Sequence, residues 1–139
     1  MYRIGELAKL AEVTPDTIRY YEKQNMMDHK ERTGGGFRLY SENDLQRLKF
    51  IRYAKQLGFT LNAISELLSI RIEPDQHTCQ ESKSIVQHRL QEVELRIQEL
   101  QHMRQSLQHL NNACCGTAHS SKYCSILEAL EEGASRHNE

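Results

Sequence analysis

The chain's 139 residues carry 18 Lys and Arg against 19 Asp and Glu, a formal charge of −1; that length suits one or two small domains and excludes a large catalytic architecture. A hydrophobic fraction of 38% beside a charged fraction of 27% fits a long exposed helix or an oligomer better than one thick core. No apolar run approaches the roughly 20 residues of a membrane span, and near-neutrality argues against indiscriminate coating of nucleic acid while allowing a local basic face.

The opening Met1-Tyr2-Arg3-Ile4-Gly5-Glu6 lacks the apolar stretch of a signal peptide, so a cytoplasmic location is expected. In that reducing compartment the four cysteines are expected as thiolates awaiting a metal, not as disulfides. Charge and residue type divide the chain in two. Residues 1–70 hold 11 Lys and Arg against 9 Asp and Glu, while residues 71–139 hold 7 against 10. Eight of the nine aromatics lie within the first 59 residues and all four cysteines lie beyond residue 78. The first part reads as a small packed domain with a mildly basic surface, the second as a helix ending in a thiol-rich segment.

Ile4, Leu7 and Ala8 repeat at helical spacing before a break at Glu12-Val13. Thr14-Pro15-Asp16-Thr17 is a helix start, with Thr as N-cap, Pro at the first helical position and Asp in the first turn. The glycines after Thr33 stop any helix, and Phe37-Arg38-Leu39-Tyr40 alternates like a brief strand. Ser41, with Asp44 three residues on, opens a helix whose inner stripe is Leu45, Leu48 and Ile51. Thr60 caps another, with Leu61, Ile64, Leu67 and Leu68 inward, and Pro74 ends the pattern. From about Cys79 to Asn112 neither Pro nor Gly interrupts. There Val86, Leu90, Val93, Ile97 and Leu100 step by 4, 3, 4 and 3, the seam of a coiled coil. A lone helix with such a stripe is marginal, so self-pairing is expected.

Two short helices and a glycine-rich hairpin define a winged helix-turn-helix, whose second helix can enter the major groove. Thr17, Arg19, Tyr20 and Tyr21 on that helix are candidates for DNA contact, with Arg38 and Tyr40 reaching a phosphate from the wing. The competing reading places Tyr20 or Tyr21 in the core and leaves Arg19 merely solvated. The strings Tyr2-Arg3-Ile4-Gly5-Glu6-Leu7-Ala8, Thr14-Pro15-Asp16-Thr17-Ile18-Arg19-Tyr20-Tyr21-Glu22, Gly36-Phe37-Arg38-Leu39-Tyr40 and Arg52-Tyr53-Ala54-Lys55-Gln56-Leu57-Gly58-Phe59 resemble the MerR family of bacterial transcription regulators. The resemblance runs on through the long helix to the C-terminal cysteines.

Cys114, Cys115, His119 and Cys124 fall within eleven positions around Gly116. Thiolate and imidazole are the preferred donors of borderline and soft metals, zinc foremost. Adjacent Cys114 and Cys115 tend to point apart, which favours two neighbouring sites. A helix over residues 80–112 separates Cys79 from Cys114 by about 50 Å, so a single chain cannot bring both to one ion. An antiparallel dimer can, and Cys79 is therefore expected to complete the site of the partner. The resemblance agrees: the chain is similar to the zinc-responsive activator of the family. That implies a metal set of Cys79, Cys114, Cys115, His119 and Cys124, with one or two Zn2+ per site and cadmium or lead accepted by the same donors. Cys at position 79 resembles the divalent-metal branch, whereas copper and gold sensors carry Ser there. His77 is read as lying beside the metal, not on it.

The expected fold is mainly α: a winged helix-turn-helix domain over residues 1–70, a linker and antiparallel dimerisation coiled-coil helix over 71–112, and a metal-binding loop, short helix and tail over 113–139. The expected function is homodimeric, zinc-responsive activation of a zinc-export gene by distortion of double-stranded promoter DNA, together with bacterial RNA polymerase and without any membrane role. The alternatives are a cadmium or lead sensor and a zinc-buffering protein. No enzyme is expected, because no Glu or His beside the thiols is placed as a general base and thiolate donors suppress the Lewis acidity of zinc.

Overall fold

Local capping chemistry sets the helix boundaries in the computed structural model, which describes residues 1–28, 35–113, 116–117 and 124–137. Helix α1, Ile4–Ala11, follows the extended Arg3, whose backbone N–H donates to the Glu6 carboxylate at 3.3 Å. It ends where Glu12 adopts a left-handed conformation, φ 57°. Helix α2, Pro15–Lys23, begins as expected: the Thr14 hydroxyl accepts the Thr17 N–H at 3.2 Å and Pro15 fills the first helical position. Asn25, at φ 59°, then turns the chain so that Met26 and Met27 point into the core.

The brief strand expected over Phe37–Tyr40 is, among the described residues, an isolated antiparallel bridge between Tyr2 and Tyr40. Each backbone N–H donates to the other residue's carbonyl at 2.7 Å. The pairing stops there for a local reason: Tyr40 is followed at once by the N-cap of the next helix, and Tyr2 is only two residues ahead of α1. Both chains leave extended geometry before a ladder can grow.

Helix α3, Glu42–Gln56, opens with a reciprocal cap. The Asp44 N–H donates to the Ser41 hydroxyl at 3.2 Å and the Ser41 N–H to the Asp44 carboxylate at 2.7 Å. Helix α4, Leu61–Ile72, starts with the Thr60 hydroxyl accepting the Ala63 N–H at 3.1 Å. These four helices enclose one core: Leu7 and Ala11 from α1, Ile18 and Tyr21 from α2, Leu45, Leu48 and Ile51 from α3, and Ile64 and Leu68 from α4 are all buried. Leu61 and Leu67, also expected inside, are half-buried. Pro74–Gln76 forms a single 3-10 turn after α4.

Helix α5 runs from Cys79 to Ala113 and buries none of its 35 residues. Of the stripe anticipated from the heptad steps, Val86, Leu90, Ile97 and Leu100 are exposed and Val93 is half-buried. Helix α6 spans Ser125–His137. The chain divides into two compact units, Met1–Arg89 and Leu90–Glu139, so the first turns of α5 belong with the four-helix unit. In the second unit Leu100, Met103, Leu107 and Leu110 of α5 share an open apolar furrow with Ile126 and Leu130 of α6. Among the described residues no helix is long and apolar enough to cross a membrane.

Candidate nucleic-acid interface and metal-ligand residues

Helix α2 sorts its side chains by period. Ile18 and Tyr21, three apart, face the core together, whereas Arg19 and Tyr20 face away. The Tyr20 ring is 41% exposed and stands tilted against Tyr21, with centroids 5.8 Å apart and planes at 53°. Arg19, with a 55% exposed side chain, is held to Asp16 at 2.8 Å on the same outer surface. The hydroxyl of half-buried Thr17 lies 2.8 Å from that of Thr14 at the start of the helix.

Tyr21 and Tyr40 do not sit on that surface. They are 2% and 0% exposed, and both belong to the core. Their burial favours the competing core reading for Tyr21, and Tyr40 is held inward beside its bridge to Tyr2. The Tyr40 hydroxyl donates to Glu22 Oε1 at 2.8 Å, and Glu22 is itself buried. Burial, then the hydrogen bond to Glu22 and its negative charge, push the Tyr40 phenol up to about 12. Arg38, half-buried, donates to the other Glu22 oxygen at 3.5 Å. One buried carboxylate thus ties Arg38 and Tyr40 to α2.

Between α1, α2 and the segment 36–38 lies an open groove lined by Arg3, Lys9, Arg19 and Arg38 beside the carboxylate of Glu6, with Arg19 also held by Asp16 and Arg38 by Glu22. Arg3 and Lys9 escape the sequence argument, which reads α1 for its apolar stripe alone. The missing signal is tertiary, since the Arg3 guanidinium stacks 3.9 Å above the Phe37 ring, 34 positions later in the chain. Such a concave run of cations suits the backbone of a nucleic acid.

Of the candidate metal ligands, Cys79 is exposed as the first residue of α5. Cys124 is half-buried immediately before α6. Cys114, Cys115 and His119 lie outside the described residues. Among the described residues no three potential donors group together. His77 directs Nδ1 to Glu81 Oε2 at 2.6 Å. That contact engages one ring nitrogen with a carboxylate.

The sequence that builds these short helices, the basic groove and the long exposed helix matches two family descriptions. Residues 2–70 match the MerR HTH family regulatory protein and residues 45–110 match MerR, DNA binding. The chain belongs to the MerR family and is a DNA-binding transcription regulator. It is 79% identical over 135 residues to the HTH-type transcriptional regulator ZntR of Escherichia coli strain K12, covering 97% of this chain and 96% of that one. Among solved structures it resembles the transcription regulator PbrR691 from Ralstonia metallidurans CH34 in complex with lead(II), with TM-score 0.79, 37% identity, and coverage of 94% and 99% of the two chains. It is also similar to EcmrR in an EcmrR-DNA complex, with TM-score 0.56 and 26% identity, covering 80% of this chain and 40% of that one.

Proposed function

We propose that this regulator is a zinc-responsive activator that works as a homodimer on double-stranded promoter DNA with bacterial RNA polymerase, and that the gene it controls exports zinc. The likeness to ZntR across 97% of the chain carries the reading. The basic groove and exposed α5 stripe support it independently.

In this reading Thr17, Arg19, Tyr20 and Arg38 meet DNA, joined by Arg3 and Lys9. Tyr21 and Tyr40 hold that face from within. Residues 1–70, 71–112 and 113–139 serve recognition, pairing and sensing. Cys114, Cys115, His119 and Cys124 hold metal with Cys79 of the other subunit, at one or two ions per site. This donor set of thiolates and imidazole fits zinc. Bound there, zinc would tie these donors together and would supply no reaction chemistry. Cadmium and lead favour the same donors, and the lead complex of PbrR691 keeps a lead sensor as the second reading.

The protein's part is a two-state shift. Ligand-gathered cysteines must be compatible with one placement of the winged domains and less so with the other, or no population moves. In the favoured placement the two domains bend and untwist the promoter, so that elements separated by an overlong spacer realign. Transcription in vitro from such a promoter tests this: transcript should rise on adding zinc, and Cys79→Ser should lower both zinc stoichiometry and the response. Unchanged stoichiometry and response in Cys79→Ser would sink the bridging site. A buffer or an enzyme would leave transcript flat.

A further inference from the structure

The turn that closes α3 is gripped by a side chain from α5. The Arg89 Nε–H donates to the carbonyl oxygen of Leu57, 32 residues earlier, at 2.9 Å. Leu57 is the C-cap of α3. Carbonyls at a helix C-terminus lack intrahelical partners and carry partial negative charge, so a guanidinium there satisfies an acceptor and complements the dipole together.

Gly58 makes the grip possible in two separate ways. Its φ of +82° belongs to the left-handed region that favours glycine at a helix end. In addition, a β-carbon at this position would stand 2.1 Å from Arg89 Nη2 and 2.7 Å from Cζ. The backbone conformation explains a glycine without reference to α5. The close approach is a separate matter: a side chain at this position would displace the flexible guanidinium from the turn.

Helix α3 packs on α1, and α1 packs on α2. A change in α5 that carries Arg89 with it therefore pulls on an element packed, through α1, against the helix that presents Arg19 and Tyr20. We propose that Arg89 is a positioning residue that transmits the metal-dependent change in α5 to the DNA-binding helices, acting through the Leu57 carbonyl and the bare backbone of Gly58. This rests on the zinc-responsive reading above.

The experiment uses the full chain on an overlong-spacer promoter with zinc ion as the probe. It compares wild type, Arg89→Ala, Arg89→Lys, Gly58→Ala and the double variant Gly58→Ala/Arg89→Ala. Operator affinity without metal and zinc stoichiometry are measured beside transcript. Arg89→Ala should keep operator affinity within about twofold and bind zinc at wild-type stoichiometry, yet lose about fivefold or more of the zinc-induced rise, the scale of an ordinary coupling between sites. Arg89→Lys, keeping charge and a donor, should recover part of the rise. Gly58→Ala should lower it too, through strain in the turn as well as through the contact, and the double variant should fall at least as low as either single one.

A full zinc response in Arg89→Ala overturns the inference. So does an equal loss of metal-free operator affinity and induced transcript, which marks a purely structural role. If Arg89→Ala does not fold, Arg89→Lys and Gly58→Ala decide: a wild-type response in both overturns the inference. A wild type indifferent to zinc overturns the functional reading and this inference with it. A responsive wild type matched by Arg89→Ala overturns the inference alone.

Discussion

Glu22 is buried with two partners from the wing, the Tyr40 hydroxyl at 2.8 Å and the Arg38 guanidinium at 3.5 Å. A buried carboxylate is tolerated only while such partners remain. Tyr40→Phe removes the neutral donor and should cost about 1–3 kcal/mol of unfolding free energy, read by urea denaturation at neutral pH. The same contact gives alkaline stability a defined shape. The phenol, ordinarily near 10, is raised to about 12 in the folded chain, so folding holds this proton more tightly than the unfolded state does. The contribution is complete below about pH 10 and is lost as pH rises through about 12. Stability should fall across that window in the wild type, and Tyr40→Phe should flatten the part of the fall due to this residue. An unchanged alkaline slope in the variant would remove Tyr40 as its source.

At the scale of the elements, the helix starts are among the features best written into the sequence. Thr14, Ser41 and Thr60 each accept a backbone N–H three residues on, where the pattern of Thr or Ser ahead of an apolar period places them. Thr14→Ala should therefore cost about 1 kcal/mol, and because α2 carries Arg19 and Tyr20 it should weaken operator binding as well. A variant with wild-type melting temperature would show that Pro15 and packing define α2 without the cap. What local pattern leaves open is where long-range pairing stops and which of two neighbouring aromatics turns inward. Among the described residues the strand expected over Phe37–Tyr40 shrinks to one bridge because α1 and α3 begin beside it. Tyr21 outcompetes Tyr20 for the core because it alone shares a face with Ile18.

At the scale of the whole molecule, aromatic and cysteine distribution suggests a packed part and a long helical part, whereas the compact units divide within α5, between Arg89 and Leu90. The DNA groove is legible only in part, since Arg3 and Lys9 join Arg19 and Arg38 by tertiary folding. Exposure of Leu90 and Ile97 on α5 gives the pairing proposal its most direct test. Leu90→Glu with Ile97→Glu should shift the sedimentation mass from dimer to monomer and reduce far-ultraviolet helix signal. Persistence of the dimer would place its interface elsewhere. Operator affinity should fall with dimerisation, as two half-site contacts become one.

A 35-residue helix without a buried residue has a consequence for the amount of protein a cell keeps. A helix of this kind draws little stability from its own subunit. Where subunit association supplies the rest, the folded fraction follows mass action: each tenfold dilution weakens the assembled state, and the melting temperature becomes a function of concentration. Copy number then enters the response curve alongside metal affinity, so that the regulator's own abundance sets part of the threshold at which its promoter fires.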